Sequence, residues 1–558
     1  MNQTISILFV AGLLLFSCTR QLPPADLIIT NATIWTGDES NPSAQAMAIA
    51  GDTLVAVGAT EAILKYKGPS TTVLDLQGTF VTPGFIDCHV HFFDGGFNLS
   101  SVQLRDARTP HEFISRIKAF VATQPEGTWI LGGDWDHENW GGELPTRHWI
   151  DSITPHHPVF VTRLDGHMSL ANSVALRAAN IKQPVKDVRG GTIVRDSKGQ
   201  LTGIFKDNAA DLIYPHIPLP TPEQTDQALQ AAMHYVASHG VTSVHHMTGH
   251  VDALERAHKT KSLITRIYAM YPLSQWEQLK EKIDQQGRGD DWLKFGGLKG
   301  FVDGSLGSHT AAFFEPFTDA PTDTGLWVNT PEQLYHWISQ ADKAGLQLMV
   351  HAIGDRAINS LLNIFERVEK ENGIKDRRFR IEHAQHIAPA DIPRFAQLNV
   401  IPSMQPYHAI DDGRWAEKVI GAERIKTTYA FKSLFDAGAI VAFGSDWFVA
   451  PPTPLEGIYA AVTRRTLDSL NPEGWVPEQK ITVAQALVAY TRNAAYASFD
   501  AHRKGTLTPG KLADFVVLDK NLLTVAPEQL NQVTVLRTFV ACVSAWSSPR
   551  NCCSRPSQ

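Results

Sequence analysis

The chain has 558 residues, 43% hydrophobic and 19% charged, a globular composition that excludes a collagen-like, coiled-coil or wholly disordered protein. Fifty Lys and Arg against 57 Asp and Glu leave a net charge of −7 with no block of like charge, so the basic surface of a general nucleic-acid binder is missing. Five cysteines are too few for a disulfide scaffold, whereas 22 histidines, many at the ends of apolar runs, direct attention to strand ends.

Residues 5–17 (ISILFVAGLLLFS) are an apolar run too short for a membrane-spanning helix, which needs about 20 residues, but right for the core of a secretory signal. Leu15-Phe16-Ser17-Cys18 resembles a bacterial lipobox, so 1–18 reads as a signal with a lipidated Cys18, although no Lys or Arg precedes the run. The expectation is an exported bacterial protein, periplasmic or anchored to the outer membrane through that lipid. Residues 24–80 alternate as β-strands with Gly turns, and 500–540 supply the partner strands of the same small β-sandwich.

Between them, over 81–499, short Val-, Ile- and Phe-rich runs recur. They are GFIDCHVH (84–91), VTSVHHM (241–247), TRIYAMY (265–271), FGGLKGFVDG (295–304), LQLMVHAIG (346–354), FRIEHAQ (379–385), NVIPSMQ (399–405) and AIVAFGSD (439–446). Helical-period segments such as 331–345 and 357–373 separate most of them. Buried strands alternating with helices predict parallel βαβ units, and eight of them predict a (β/α)8 barrel with its site at the C-terminal strand ends. The count holds only if 97–235 is an insertion after the first strand, because such a barrel usually takes about 250 residues. Beyond 540 the strand pattern is lost, three of the five cysteines (Cys542, Cys552, Cys553) follow, and 541–558 reads as an aberrant or disordered tail.

His89 and His91 lie two apart on the first strand and so face the same side. Inside a barrel two such imidazoles leave polar nitrogens to satisfy, and neutral imidazole is a common ligand of zinc and related ions. His351, His383 and Asp446 at other strand ends strengthen the pattern. Lys299 should face the lumen too. Its plain explanation is an ion pair with Asp303 or another acid, and its sharper one is a CO2-derived carbamate bridging two metals. By alternation Glu382 should point away from the lumen, and Cys88 should be a packed thiol. One of His245 and His246 should face the lumen.

The motifs TPGFIDCHVH, GGELPTRH, DGHMSLANS, FVDGSLGSHTAA, VHAIGDRA, RIEHAQ, FGSDW and GTLTPGKLADFVVLD resemble the amidohydrolase superfamily, in particular the family 3 group of YtcJ-like proteins, over about 25–540. The resemblance implies a distorted barrel with a composite β-sandwich. It also implies metal ligands His89, His91, Lys299, His351, His383 and Asp446, and a divalent cofactor, zinc, as two ions. The tail departs from the family pattern, where a closing sandwich strand is expected.

A bound divalent ion lowers the pKa of water to about 7. Asp446 is then the general base that takes the water's proton and returns it to a leaving amine. The expected reaction is hydrolysis of a non-peptide C–N bond in a small N-acyl, N-formyl or cyclic amide. Trp135 and Asp136 follow one strand of the insertion and Asp165 and His167 another, and these four are the substrate-binding candidates. A homodimer is the other partner expectation. The alternatives are a one-metal, deaminase-like enzyme, against which Lys299 argues, and an inactive envelope lipoprotein.

Overall fold

The computed structural model describes residues 22–548. The expected signal, Cys18, Cys552 and Cys553 lie outside them.

Eight parallel strands form the centre: β1 (Phe85–Val90), β2 (Val241–His246), β3 (Arg266–Pro272), β4 (Leu293–Phe301), β5 (Gln347–Ala352), β6 (Arg380–His383), β7 (Ile401–Met404) and β8 (Ala442–Phe443). Each pairs with its sequence neighbours, and a bridge between Val90 and Trp447 brings the last strand back to the first. The closure is reinforced by Asp87, whose carboxylate accepts from Ser445 N at 2.8 Å and Ser445 Oγ at 2.5 Å. Most strand positions are buried on both faces, which is why these runs are continuously apolar rather than alternating. Helices such as Asp355–Asn372 present Ile358, Leu361, Leu362 and Phe365 to the strands and their charges to solvent.

The N-terminal end of the barrel is plugged. Gln347 Nε2 donates to Ala497 O at 2.8 Å, Lys294 Nζ to Ser498 O at 2.7 Å and Lys504 Nζ to Ser243 Oγ at 3.1 Å. Only the opposite, C-terminal end is left for a site.

After β1 and the helix Phe92–Asn98, the chain builds a separate five-stranded sheet in the order Gly191–Arg195, Leu201–Asp207, Met168–Ala171, Phe160–Arg163, Gly133–Trp135. The capped helix Pro110–Val121 buries Phe113 and Ile117 against it. The returning helix Pro222–Ser238, opened by a Thr221–Gln224 capping box, buries Leu229, Met233 and Val236 with the barrel strands. It belongs to the barrel, so the insertion ends before it and is shorter than 97–235.

The two chain ends meet in two sheets. One runs Val543–Ser547, Val535–Val540, Phe515–Leu518, Phe80–Pro83, Thr33–Trp35, Ser43–Ala44, and the other Thr53–Gly58, Ala46–Ala50, Leu27–Thr30, Thr72–Asp75. Ile29, Met47, Leu54, Val81, Phe515 and Phe539 fill the space associated with them. The strand Val543–Ser547 pairs antiparallel with Val535–Val540, so the pattern loss read at 541 falls too early. Its side chains are mostly exposed, and a solvated edge strand carries no apolar alternation to read.

Candidate metal centre

At the C-terminal mouth, His89 from β1 and His91 just after it, Lys299 from β4, His351 from β5, His383 from β6 and Asp446 after β8 come together. Asp446 Oδ1 lies 3.4 Å from His89 Nε2 and 3.4 Å from His91 Nε2, and its Oδ2 is 3.9 Å from His383 Nδ1. Ligand atoms of His89, His383 and Asp446 all fall within 4.8 Å of one another. The ring centroid of His383 is 4.8 Å from that of His89 and 4.6 Å from that of His351. Lys299 Nζ donates to His89 Nε2 at 3.0 Å.

Backbone conformation sets two of these groups. His383 has φ 71° and Asp446 φ 62°, left-handed values that non-glycine residues adopt rarely and that gather at functional sites. The Asp446 N–H donates to His89 O at 2.7 Å, which ties the β8 end to the β1 end.

Each of three imidazoles has one nitrogen held by a neighbour. His89 Nδ1 meets Glu382 Oε2 at 2.5 Å, His383 Nδ1 meets Gln405 Oε1 at 2.8 Å, and His351 Nε2 meets Gly304 O at 3.0 Å. That leaves His383 Nε2 and His351 Nδ1 for a ligand, with His89 Nε2 turned toward Lys299 Nζ and Asp446, the arrangement by which outer partners orient metal-binding histidines. Burial drives His89 down to about 4, with Lys299 adding to it, and burial likewise holds His351 and His383 well below the ordinary histidine range. The rings are therefore neutral, the form that binds metal. Burial alone raises Asp446, but His89, His91 and His383 outweigh it and keep the carboxylate ionised. Its Oδ1 is buried with no hydrogen-bond partner among the described residues. An ionised oxygen in that state, facing imidazole nitrogens, fits a divalent cation.

Several expectations require correction. Glu382 does not point away: it is fully buried, with Oε2 at 2.5 Å from His89, 2.7 Å from Ser403 Oγ and 3.0 Å from Arg380 Nη2. Strand alternation stops at the positive φ of His383, so both neighbours reach the centre. Arg380 and His89 hold Glu382 down to about 2 against the effect of burial. The Lys299–Asp303 ion pair is absent from the described contacts. Asp303 instead accepts from the backbone N–H of Ala312, Ile353 and Gly354 and fixes the turn after β4. His245 bonds Arg380 below the centre at 2.9 Å, while His246 accepts from Phe92 N at 3.2 Å, and neither lines the cavity. Cys88 needs no correction: it is the packed thiol expected, buried 3.3 Å from Ser403 Oγ and pushed up to about 12 by that burial.

A cavity of about 1010 Å3 opens over the centre, lined there by His91, Lys299, His351, His383 and Asp446. Asp165 and His167 line it too: Asp165 accepts from Ser305 Oγ at 2.5 Å, and His167 Nδ1 lies 2.6 Å from Asp207 Oδ1. Trp135 and Asp136 do not line it. Trp135 is fully buried in the insertion's core, donating Nε1–H to Val161 O at 2.9 Å. Asp136 is taken up by Arg163 at 3.0 Å and Arg414 at 3.1 Å, bridging the insertion to the loop after β7. Gln405, Arg380 and Ser403, which hold His383 and Glu382, and His408, which lines the cavity, are parts of the site that sequence reading missed. The charged pair Arg380 and Glu382 inside an apolar strand was the available signal.

The profile of the amidohydrolase family matches residues 72–542. Protein LONG AFTER FAR-RED 3 of Arabidopsis thaliana is 40% identical over 547 residues, which cover 94% of this chain and 93% of that protein. N-substituted formamide deformylase of Arthrobacter pascens is 29% identical over 543 residues, covering 92% of this chain and 97% of its own. An uncharacterized metal-dependent hydrolase of Pyrococcus horikoshii OT3, solved by crystallography, superposes with a TM-score of 0.74 at 28% identity, covering 90% of this chain and 99% of the other. Eight-stranded barrel, composite sandwich, converging imidazoles and a profile that spans most of the chain agree: the protein belongs to the amidohydrolase family.

Proposed function

We propose that the protein hydrolyses a non-peptide C–N bond in a small N-acyl, N-formyl or cyclic amide. The supporting observation is the buried, unpartnered Asp446 Oδ1, 3.4 Å from two imidazole nitrogens at the floor of a large cavity. His89, His91, His351, His383 and Asp446 would hold divalent metal, zinc by the chemistry of the donor set, and Lys299 as a carbamate would add an anionic ligand. Burial brings the Lys299 amine down to about 8, so at neutral pH a fraction is unprotonated and able to add CO2, releasing a proton and leaving an anionic carbamate. Metal bound there supplies a Lewis acid for the amide carbonyl and activates water. Asp446 takes the proton of the attacking water and returns it to the leaving nitrogen. Asp165 and His167 form the polar wall beside it. The deformylase relative supports the choice of an amide C–N bond.

A one-ion, deaminase-like centre is the second reading. It is favoured by the close cluster of ligand atoms from His89, His383 and Asp446 among the described residues.

Elemental analysis of the protein and of Lys299→Ala, beside turnover of an N-acyl and N-formyl amine panel, separates the two. About two metals per chain, falling to about one or fewer in the variant, is the expected result for a carbamate-joined pair. One metal in both makes Lys299 structural and promotes the one-ion reading. A metal-loaded protein that turns over no amide rejects the C–N assignment.

A further inference from the structure

The cavity is far larger than its polar floor. From the metal centre it continues past Phe97, on the helix that His91 begins, into a space walled by Trp129, Leu131, Phe160, Tyr214 and Leu219 of the insertion and the segment after it. Phe160 and Tyr214 meet edge to face with ring centroids 5.5 Å apart. Leu131, Tyr214 and Leu219 are 37%, 48% and 91% exposed, an unusual concentration of open apolar side chains on the lip of one cavity. At about 1010 Å3 the volume is at the upper end for a small-molecule site, and a simple formamide leaves most of it empty.

The charges on the walls are equally selective. Arg163 and Lys299 are the lysine and arginine among the lining residues. Arg163 is buried and bound to Asp136 at 3.0 Å and Asp165 at 2.7 Å, and Lys299 is engaged by His89. Asp94 and Asp412 stand on the same walls, where Asp165 is paired with Arg163 and Asp411 with Arg105 and Arg414. Among the described residues the lining offers a substrate carboxylate no lysine or arginine that is not already engaged.

We infer that the substrate is an amide bearing an extended, uncharged apolar substituent, which lies along this arm while the scissile carbonyl is held at the metal centre, and that N-acyl amino acids are disfavoured. The inference rests on the proposed amide hydrolysis. Each methylene seated against these side chains leaves water, worth about a fourfold gain per carbon.

The test uses the metal-loaded protein with N-acylanilines from acetyl to dodecanoyl, N-alkylformamides of matching length, and N-acylglycines. Binding of methyl ketones of the same chain lengths is measured by calorimetry in parallel. The expected result is kcat/KM rising about fourfold per methylene over the first several carbons in one of the neutral series, with the acylglycines at least about tenfold slower. Ketone affinity should climb in the same way, and Leu219→Asp, at the open lip, should lower the decanoyl-to-acetyl ratio by about tenfold. Hydrolysis that is indifferent to chain length, or that prefers acylglycines, overturns the inference and leaves amide hydrolysis standing. Chain-length-dependent ketone binding without hydrolysis of any amide upholds the apolar arm and rejects the reaction. Ketone affinity that is flat with length removes the arm whatever the turnover.

Discussion

At the residue scale, the centre depends on which nitrogen of each histidine is already taken. Glu382 occupies His89 Nδ1 and turns Nε2 toward Asp446, and Gln405 occupies His383 Nδ1. Glu382→Gln keeps the shape but removes a charge that both His89 and Arg380 rely on. The expected outcome is a loss of about 10- to 100-fold in metal affinity, read by competition with a chelator. Thermal unfolding of the metal-free variant should report a further penalty of about 3–5 kcal/mol, because Arg380 is fully buried and loses its counter-ion. Spacing and strand-end position single out His89, His91, His351, His383 and Asp446, and the resemblance adds Lys299. Glu382 was not legible in this way, since a period-two argument presumes regular strand geometry, and that geometry ends at the left-handed His383.

At the element scale, the insertion has its own core and reaches the site only through chosen side chains. Trp135 shows the limit of reading a strand end as a binding position. It closes the strand Gly133–Trp135, but its ring packs edge-on against Phe113 with centroids 6.4 Å apart. Trp135→Ala should therefore destabilise the protein by about 3–5 kcal/mol, seen in denaturant unfolding, while kcat/KM per folded molecule stays close to that of the parent. A substrate contact would reverse the balance, with a large change in KM and little in stability. Asp165 and His167, two residues apart beyond the next strand, are the pair that the fold does bring to the cavity. Local alternation places a residue on a face of its own sheet. Whether that face meets the insertion core or the barrel mouth depends on how the two sheets are docked.

At the scale of the whole molecule, insertion and barrel are joined across the cavity by buried charges. Arg163 holds Asp136 and Asp165, Asp165 reaches Ser305 beyond β4, and Arg414 joins Asp136 from beyond β7. Burial raises Asp165, but Arg163 and His167 more than compensate and bring it down to about 2. Its unfolded value is about 3.9, so between these limits the unfolded chain binds the extra proton. The stabilisation by Asp165 is thus complete above about pH 4 and is lost as the pH falls through about 2, a span worth roughly 2–3 kcal/mol. Melting temperatures of the protein and of Asp165→Asn should differ most near pH 5 and converge toward pH 2. A constant gap over that range would mean that Asp165 is not held by charge.

The barrel, the two-ended sandwich and the polar strand termini are written in the sequence. Those features follow from short-range periodicity and from the expense of burying unpaired polar groups, which a linear pattern records. Tertiary structure alone decided that Glu382 orients His89, that Trp135 is core, that Asp136 is spent on two arginines, and that Phe97, Phe160 and Leu219 share one apolar arm. Each of these depends on side chains distant along the chain meeting in one volume. Their partners are set by the docking of insertion on barrel and by the backbone turn at His383, neither of which leaves a periodic trace in the sequence.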